Sequence, residues 1–96
     1  MHGEYKMPGG KLVVIDLEVE AGRLTNVQLS GDFFLEPDSV LHAIDGALDG
    51  LEADLPQAAT TRAIEAVIPD TAMLYGISPE AVSTAVQRAL HGEHKA

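Results

Sequence analysis

The sequence predicts an α+β fold, a small antiparallel sheet of two or three strands packed against three helices. Three observations lead there. Apolar and polar residues alternate with a period of two over 12–30, and from Pro37 onward apolar residues recur at helical spacing. The strand signals also precede the helix signals, as in a sheet with helices packed on one face. A chain of 96 residues makes one expected domain, 1–96. It buries roughly two-thirds of the surface its unfolded form exposes. A large enclosed substrate cavity does not fit in such a core, so any catalytic role is expected to be shared with a partner.

The elements follow in order. Residues 1–11 read as punctuation: Gly3 opens, Glu4-Tyr5-Lys6 is a short extended piece, and Pro8-Gly9-Gly10 is a loop. The clearest strand is 12–20, with Val13, Ile15, Leu17 and Val19 on its apolar face. Leu12 and Val14 spoil the polar face, which is expected to be covered by a partner. A second strand at 23–30 places Thr25, Val27 and Leu29 on the core side. Both apolar faces are odd-numbered, which calls for an odd loop. A three-residue turn Glu20-Ala21-Gly22 would set Val19 opposite Arg23 and Val13 opposite Leu29. Gly31 to Leu35 reads as a bent third strand, with at least one of Phe33 and Phe34 expected in the core.

A first helix is expected from Pro37, proline suiting the first helical position, with Gly50 as its C-cap. A second is expected over 58–68 and ended by Pro69, followed by a loop from Asp70 to Ile77 whose Met73, Leu74, Tyr75 and Ile77 are expected to fold back onto the core. The last helix has the sharpest start: Ser78 as N-cap, Pro79 first, Glu80 second. Its stripe is Val82, Ala85, Val86, Ala89 and Leu90, and Gly92 stops it.

Composition excludes several classes. There is no cysteine, so disulfides, thiolate metal sites and cysteine nucleophiles are out. Six Lys and Arg against 15 Asp and Glu give a net charge of −9, which repels nucleic-acid phosphates and anionic membranes. No apolar run approaches the ~20 residues of a membrane span and no signal-peptide pattern opens the chain, so a cytoplasmic location is expected. Met1 and the natural-looking tail favour a separate chain over an excised domain.

Pro8-Gly9-Gly10-Lys11 offers bare amides beside a cation, chemistry that suits a phosphate. It is not a Walker loop, because Leu12 follows the lysine and a strand comes next. From residues alone the competing reading is a solvated hairpin loop with surface lysines. His91 and His94 are three apart, but Gly92 lies between them and no third ligand is visible, so no metal site is expected. His42 is expected on the surface. Asp16, Glu18 and Glu20 on a strand, and Asp38, Asp45, Asp49 and Glu52 on a helix, read as solvated faces.

Two stretches together resemble a known family. Gly3-Glu4-Tyr5-Lys6-x-Pro8-Gly9-Gly10-Lys11-Leu12-Val13 and Leu29-Ser30-Gly31-Asp32-Phe33-Phe34-Leu35-Glu36-Pro37 look like the C-terminal accessory domain of lipoate–protein ligases. They are most similar to the free-standing small subunit of bipartite ligases. The resemblance covers 3–37 closely and the helical remainder by pattern. It implies a SufE/NifU-like α+β fold and a partner, the large catalytic subunit. That subunit binds lipoate and ATP, forms lipoyl-adenylate and passes lipoate to a lysine of an acceptor protein. The accessory part is needed for adenylation, and this chain is expected to be inactive alone. ATP, Mg and lipoate are expected in the complex, with no cofactor on this chain alone.

On that resemblance Lys6 and Lys11 are the candidate charged groups in adenylation. Tyr5, Pro8, Gly9, Gly10 and Lys11 form the partner or phosphate loop, and Leu12, Val14, Asp32, Phe33 and Phe34 are interface candidates. The competing role of the loop is docking alone. Other classes stand beside this reading: a lipoyl acceptor, disfavoured because acceptor domains are all-β; a sulfur-transfer scaffold, whose chemistry zero cysteines remove; and an unrelated interaction module.

Overall fold

The computed structural model describes residues 1–9 and 11–91. Three antiparallel strands, β1 (His2–Lys6), β2 (Leu12–Glu20) and β3 (Arg23–Gly31), form a sheet in the order β1-β2-β3. A two-stranded ribbon pairs β4 (Phe34–Glu36) with β5 (Met73–Tyr75). The helices are α1 (Ser39–Leu48), α2 (Gln57–Glu65) and α3 (Pro79–Leu90). The α+β class expected from the sequence is the observed one.

β2 is central because its alternation buries Val13, Ile15 and Leu17 on one face. The segment before it is a full edge strand rather than punctuation. β1 pairs with β2 from His2↔Asp16 to Lys6↔Leu12, which puts Gly3 and Tyr5 on the core face. Gly3 is there for contact: a Cβ would strike the Ala85 carbonyl oxygen and the Ala89 backbone of α3. A bare backbone on the strand and small residues on the helix let the two elements touch directly.

The β2–β3 turn corrects the expected register. Ala21 (φ 51°) and Gly22 (φ 77°) form a two-residue turn, so Glu20 faces Arg23 and Val19 faces Leu24. A bulge at Asn26 (φ 51°) then shifts the pairing, and Ile15 faces Leu29 while Val13 faces Gly31. The bulge solves the parity problem that the three-residue loop was meant to solve, and it brings Leu24 into the core as well as Val27 and Leu29.

The bend after Gly31 leaves the sheet. β4 pairs with β5, the segment expected to be loop, so Leu35 and Leu74 face inward while Phe34, Tyr75 and Met73 face outward. Pairing holds Glu36 extended, so Pro37 falls in a turn whose carbonyl accepts from Val40 N–H, and α1 begins two residues later than expected. The α1 C-cap is Asp49 rather than the expected Gly50, which follows it and takes the left-handed conformation (φ 91°). α2 ends at Glu65, where Val67 N–H bonds to Ile64 O and Ile68 N–H to Glu65 O in tighter turns than the expected helix to 68. α3 starts as read: the Ser78 side chain accepts from Ala81 N–H and Pro79 leads the helix. Its expected stop at Gly92 lies outside the described residues.

All helix packing is on one face of the sheet. Val40, Ile44 and Leu48 of α1, Ile64 of α2, and Val82 and Val86 of α3 close over the strands. Buried Ser83 is satisfied by Thr61 Oγ1 at 2.7 Å and by the Glu80 carbonyl, so the α2–α3 seam is polar without an orphaned group. Among the described residues no helix is long and apolar enough to cross a membrane.

Candidate docking site at the first hairpin turn

β1 and β2 meet in a tight hairpin turn. Met7 N–H donates to Lys11 O at 2.7 Å, which closes a loop over Pro8, Gly9 (φ 97°) and Gly10. Gly10 itself lies outside the described residues. Pro8, Gly9 and Lys11 are exposed.

The alternation of the strands separates the two candidate lysines. Lys6 is opposite Leu12 on the sheet face that carries no helix, beside Val14. Lys11 is one residue out of phase and lies on the helix side. There its stem rests on Gly76 (φ 76°), where a Cβ would come within 2.7 Å of Lys11 Cγ. Among the described residues neither lysine has a salt bridge; the ion pairs found are those of His2. Gly76 follows Tyr75, and the Tyr75 ring meets the Phe34 ring across the ribbon, centroids 5.8 Å apart and tilted by 38°. Lys11 therefore borders an exposed aromatic pair, next to Met73.

The other candidates divide in the same way. Tyr5 is half-buried on the helix side with the Arg88 guanidinium 5.2 Å above its ring, and Arg88 also donates to Glu4 O. Leu12 and Val14 are half-buried on the open face. Asp32 is exposed and its N–H bonds to Leu12 O. Phe33 packs partly into the core, as expected of at least one phenylalanine, while Phe34 is 52% exposed. Phe33, Phe34, Leu35, Asp38, Leu41 and His42 line an open groove of ≈ 350 Å³ between ribbon and α1. Met73 and Tyr75, expected to fold back onto the core from a loop, instead stand exposed on the outer side of the ribbon, and Gly76 was not singled out, because nothing in a three-residue strand announces itself by period.

Among the described residues four carboxylates have hydrogen-bond partners: Glu4 and Asp16 on His2, Glu18 on the Asn26 amide, and Asp45 on a backbone N–H. His2 bonds to Glu4 at 2.7 Å and Asp16 at 2.8 Å, and these bonds, Glu4 first, raise its pKa. Asp45 accepts from Leu29 N–H at 3.1 Å; its partial burial raises its pKa, against the smaller opposing effects of that bond and of His42. His91 hydrogen-bonds to Gln87, and His94 lies outside the described residues. Among the described residues no three His, Asp or Glu side chains come together as a metal-binding set.

The fold is thus α+β with helices on one sheet face; of its exposed large apolar side chains among the described residues, Phe34, Met73 and Tyr75 share the ribbon beside the first hairpin turn, and Met1 lies apart beside Leu17. A solved structure shares this fold: a chain from an archaeal lipoylation system, a bi-partite lipoate protein ligase and its E2 lipoyl domain from Thermoplasma acidophilum. The match has a TM-score of 0.68 at 21% identity and covers 90% of this chain and 97% of that one. At this identity the likeness is one of fold. No family model matches the chain, and no curated protein matches it.

Proposed function

We propose that this chain is the accessory partner of a lipoate–protein ligase catalytic subunit and acts in the activation of lipoate. In that step a lipoate carboxylate oxygen bonds to the α-phosphorus of ATP and pyrophosphate leaves, so negative charge builds on the departing phosphates. The observation that carries the reading is the placement of Lys11. It is a cation without a salt bridge among the described residues of a chain of net charge −9. Gly76 supports its stem, and it stands at the edge of an exposed apolar ribbon. A cation so placed reaches across an interface to stabilise charge in a partner's active site. Magnesium and ATP would be held by the catalytic subunit.

The fold shared with a chain of a lipoylation system supports this role. The helices favour it over that of lipoyl acceptor, since acceptor domains are all-β with the lysine at a hairpin tip. Lys11 is at the base of its turn, paired with Met7.

Reconstitution tests the proposal. The chain, a lipoate ligase catalytic subunit, ATP, Mg and lipoate are mixed and lipoyl-adenylate is measured; the chain is expected to raise the rate, and no stimulation overturns the reading. Lys11→Ala is expected to slow adenylation by about 100-fold at saturating chain, the scale of losing one transition-state charge partner. Lost binding instead assigns Lys11 to docking.

A further inference from the structure

We propose that the outward face of the β4–β5 ribbon is a self-association surface. Two copies of this chain join by it around a two-fold axis, with Lys11 of each meeting Glu36 and Asp38 of the other.

The ribbon's alternation makes the surface. Leu35 and Leu74 turn inward, so Phe34, Glu36, Met73 and Tyr75 share the outer face. Phe34 and Tyr75 form one row, Glu36 and Met73 the next. Phe34, Met73 and Tyr75 expose 52%, 48% and 48% of their surfaces, in a chain that has only four Phe and Tyr. Contiguous large apolar side chains in water mark a contact surface, and aromatics supply its anchors. The open sheet face is a weaker candidate. There Leu12 and Val14 are half-buried and flanked by Glu4, Lys6, Ser30 and the His2–Asp16 pair, a face able to stand in water.

Charge selects the occupant. Past the aromatic row stands Lys11, against Gly76. At the other end are Glu36 and, two residues on, Asp38 beside the groove. None of the three has a salt bridge among the described residues. The surface therefore runs from cation through apolar to anion, a pattern that is its own complement after half a rotation. A two-fold axis between the rows lays Phe34 and Tyr75 of one copy on Glu36 and Met73 of the other. The Met73 thioether then meets an aromatic ring, a favourable contact, and the Lys11 pairing forms twice. A net charge of −9 on each copy opposes the approach, and the apolar patch is small. The dimer is accordingly weak, with a Kd on the order of 10 to 100 µM. The dissociated copy, with Lys11 released, is the form the functional reading assigns to the ligase. That reading is tested separately, by adenylation.

Analytical ultracentrifugation of the chain alone, from about 1 µM to about 1 mM, tests the assignment. The mean mass is expected to rise from the 10.2 kDa of one chain towards twice that and no further, because a two-fold contact closes. A mass that stays at one chain, or that grows past two, overturns the proposal. Phe34→Ser and Met73→Glu are each expected to weaken dimerisation at least about 10-fold. Thermal melting checks that each variant is folded, and either one carries the test if the other unfolds. Dimers that folded variants form as tightly as wild type place the contact elsewhere and overturn the proposal. Charge reversal tests the reciprocity. Lys11→Glu and Glu36→Lys each put like charges at both pairings and are expected to weaken dimerisation at low salt. Mixing the two variants is expected to restore it, since each then offers the charge the other lacks. A mixture that dimerises no better than either variant alone overturns the two-fold arrangement and the proposal with it.

Discussion

The two hairpin turns of the sheet lie at opposite ends of β2, roughly 30 Å apart, and the chain treats them differently. The β2–β3 turn is sewn into its surroundings. Leu24 N–H bonds to Leu51 O, Gly50 N–H to Leu24 O, Ala53 N–H to Gly22 O, and the Arg23 guanidinium donates to Gly50 O. The β1–β2 turn is left open. Its described bond is the one that closes it, Met7 to Lys11, and its exposed residues stand beside an apolar ribbon and a cation without a salt bridge. One turn uses its residues to hold the fold. The other spends little on the fold and leaves its chemistry exposed, as a binding region does.

Substitutions break this contrast in order of size. Leu24→Ala at the sewn end is expected to cost about 3 kcal/mol in urea unfolding, the scale of a buried leucine, with adenylation per folded molecule unchanged. Gly76→Ala forces a side chain onto a left-handed backbone and into the Lys11 stem. It should cost about 1 kcal/mol and lower adenylation along with stability, where a merely structural glycine would lower stability alone. Ala21→Gly relieves a left-handed alanine and is expected to stabilise by about 0.5 to 1 kcal/mol, read as a higher urea midpoint. Phe34→Ser is expected to move stability by less than about 0.5 kcal/mol because its ring is half in water.

The smallest effect is one of pH. The bonds to Glu4 and Asp16 raise the pKa of His2 above its ordinary value of 6.5. Their contribution to stability is fully present below that ordinary value, while the carboxylates stay ionised, and is lost as pH rises through the raised value. The difference in urea midpoint between wild type and His2→Gln is therefore expected at pH 6 and absent at pH 9. A difference that grows with pH would show that the histidine is not held as cation.

What was legible in the chain follows from which signals are local. β2 and α3 could be read because each has a long period or a cap: four alternating apolar residues in one, Ser78-Pro79-Glu80 in the other. β1 was hidden because Gly3 interrupts the alternation, and its reason to be glycine is a helix more than 80 residues later in the chain. β4 and β5 are three residues each, too short for any period. The bulge at Asn26 left one trace, the spacing of three between Leu24 and Val27, which a fixed period of two passes over. At the site, the Gly-rich turn and Lys11 could be found from sequence. That Lys6 and Lys11 point to opposite faces needed only the strand period, once β1 was known to be a strand. That Lys11 leans on Gly76 is a tertiary contact no local pattern carries.

The central claim is that the open end of the sheet is the working end. Amide hydrogen exchange with and without the ligase catalytic subunit tests it most directly. Slowed exchange in the turn before Lys11, with 20–24 and 50–53 unchanged, is the predicted result. Protection confined to the sewn turn, or no protection anywhere, would contradict it.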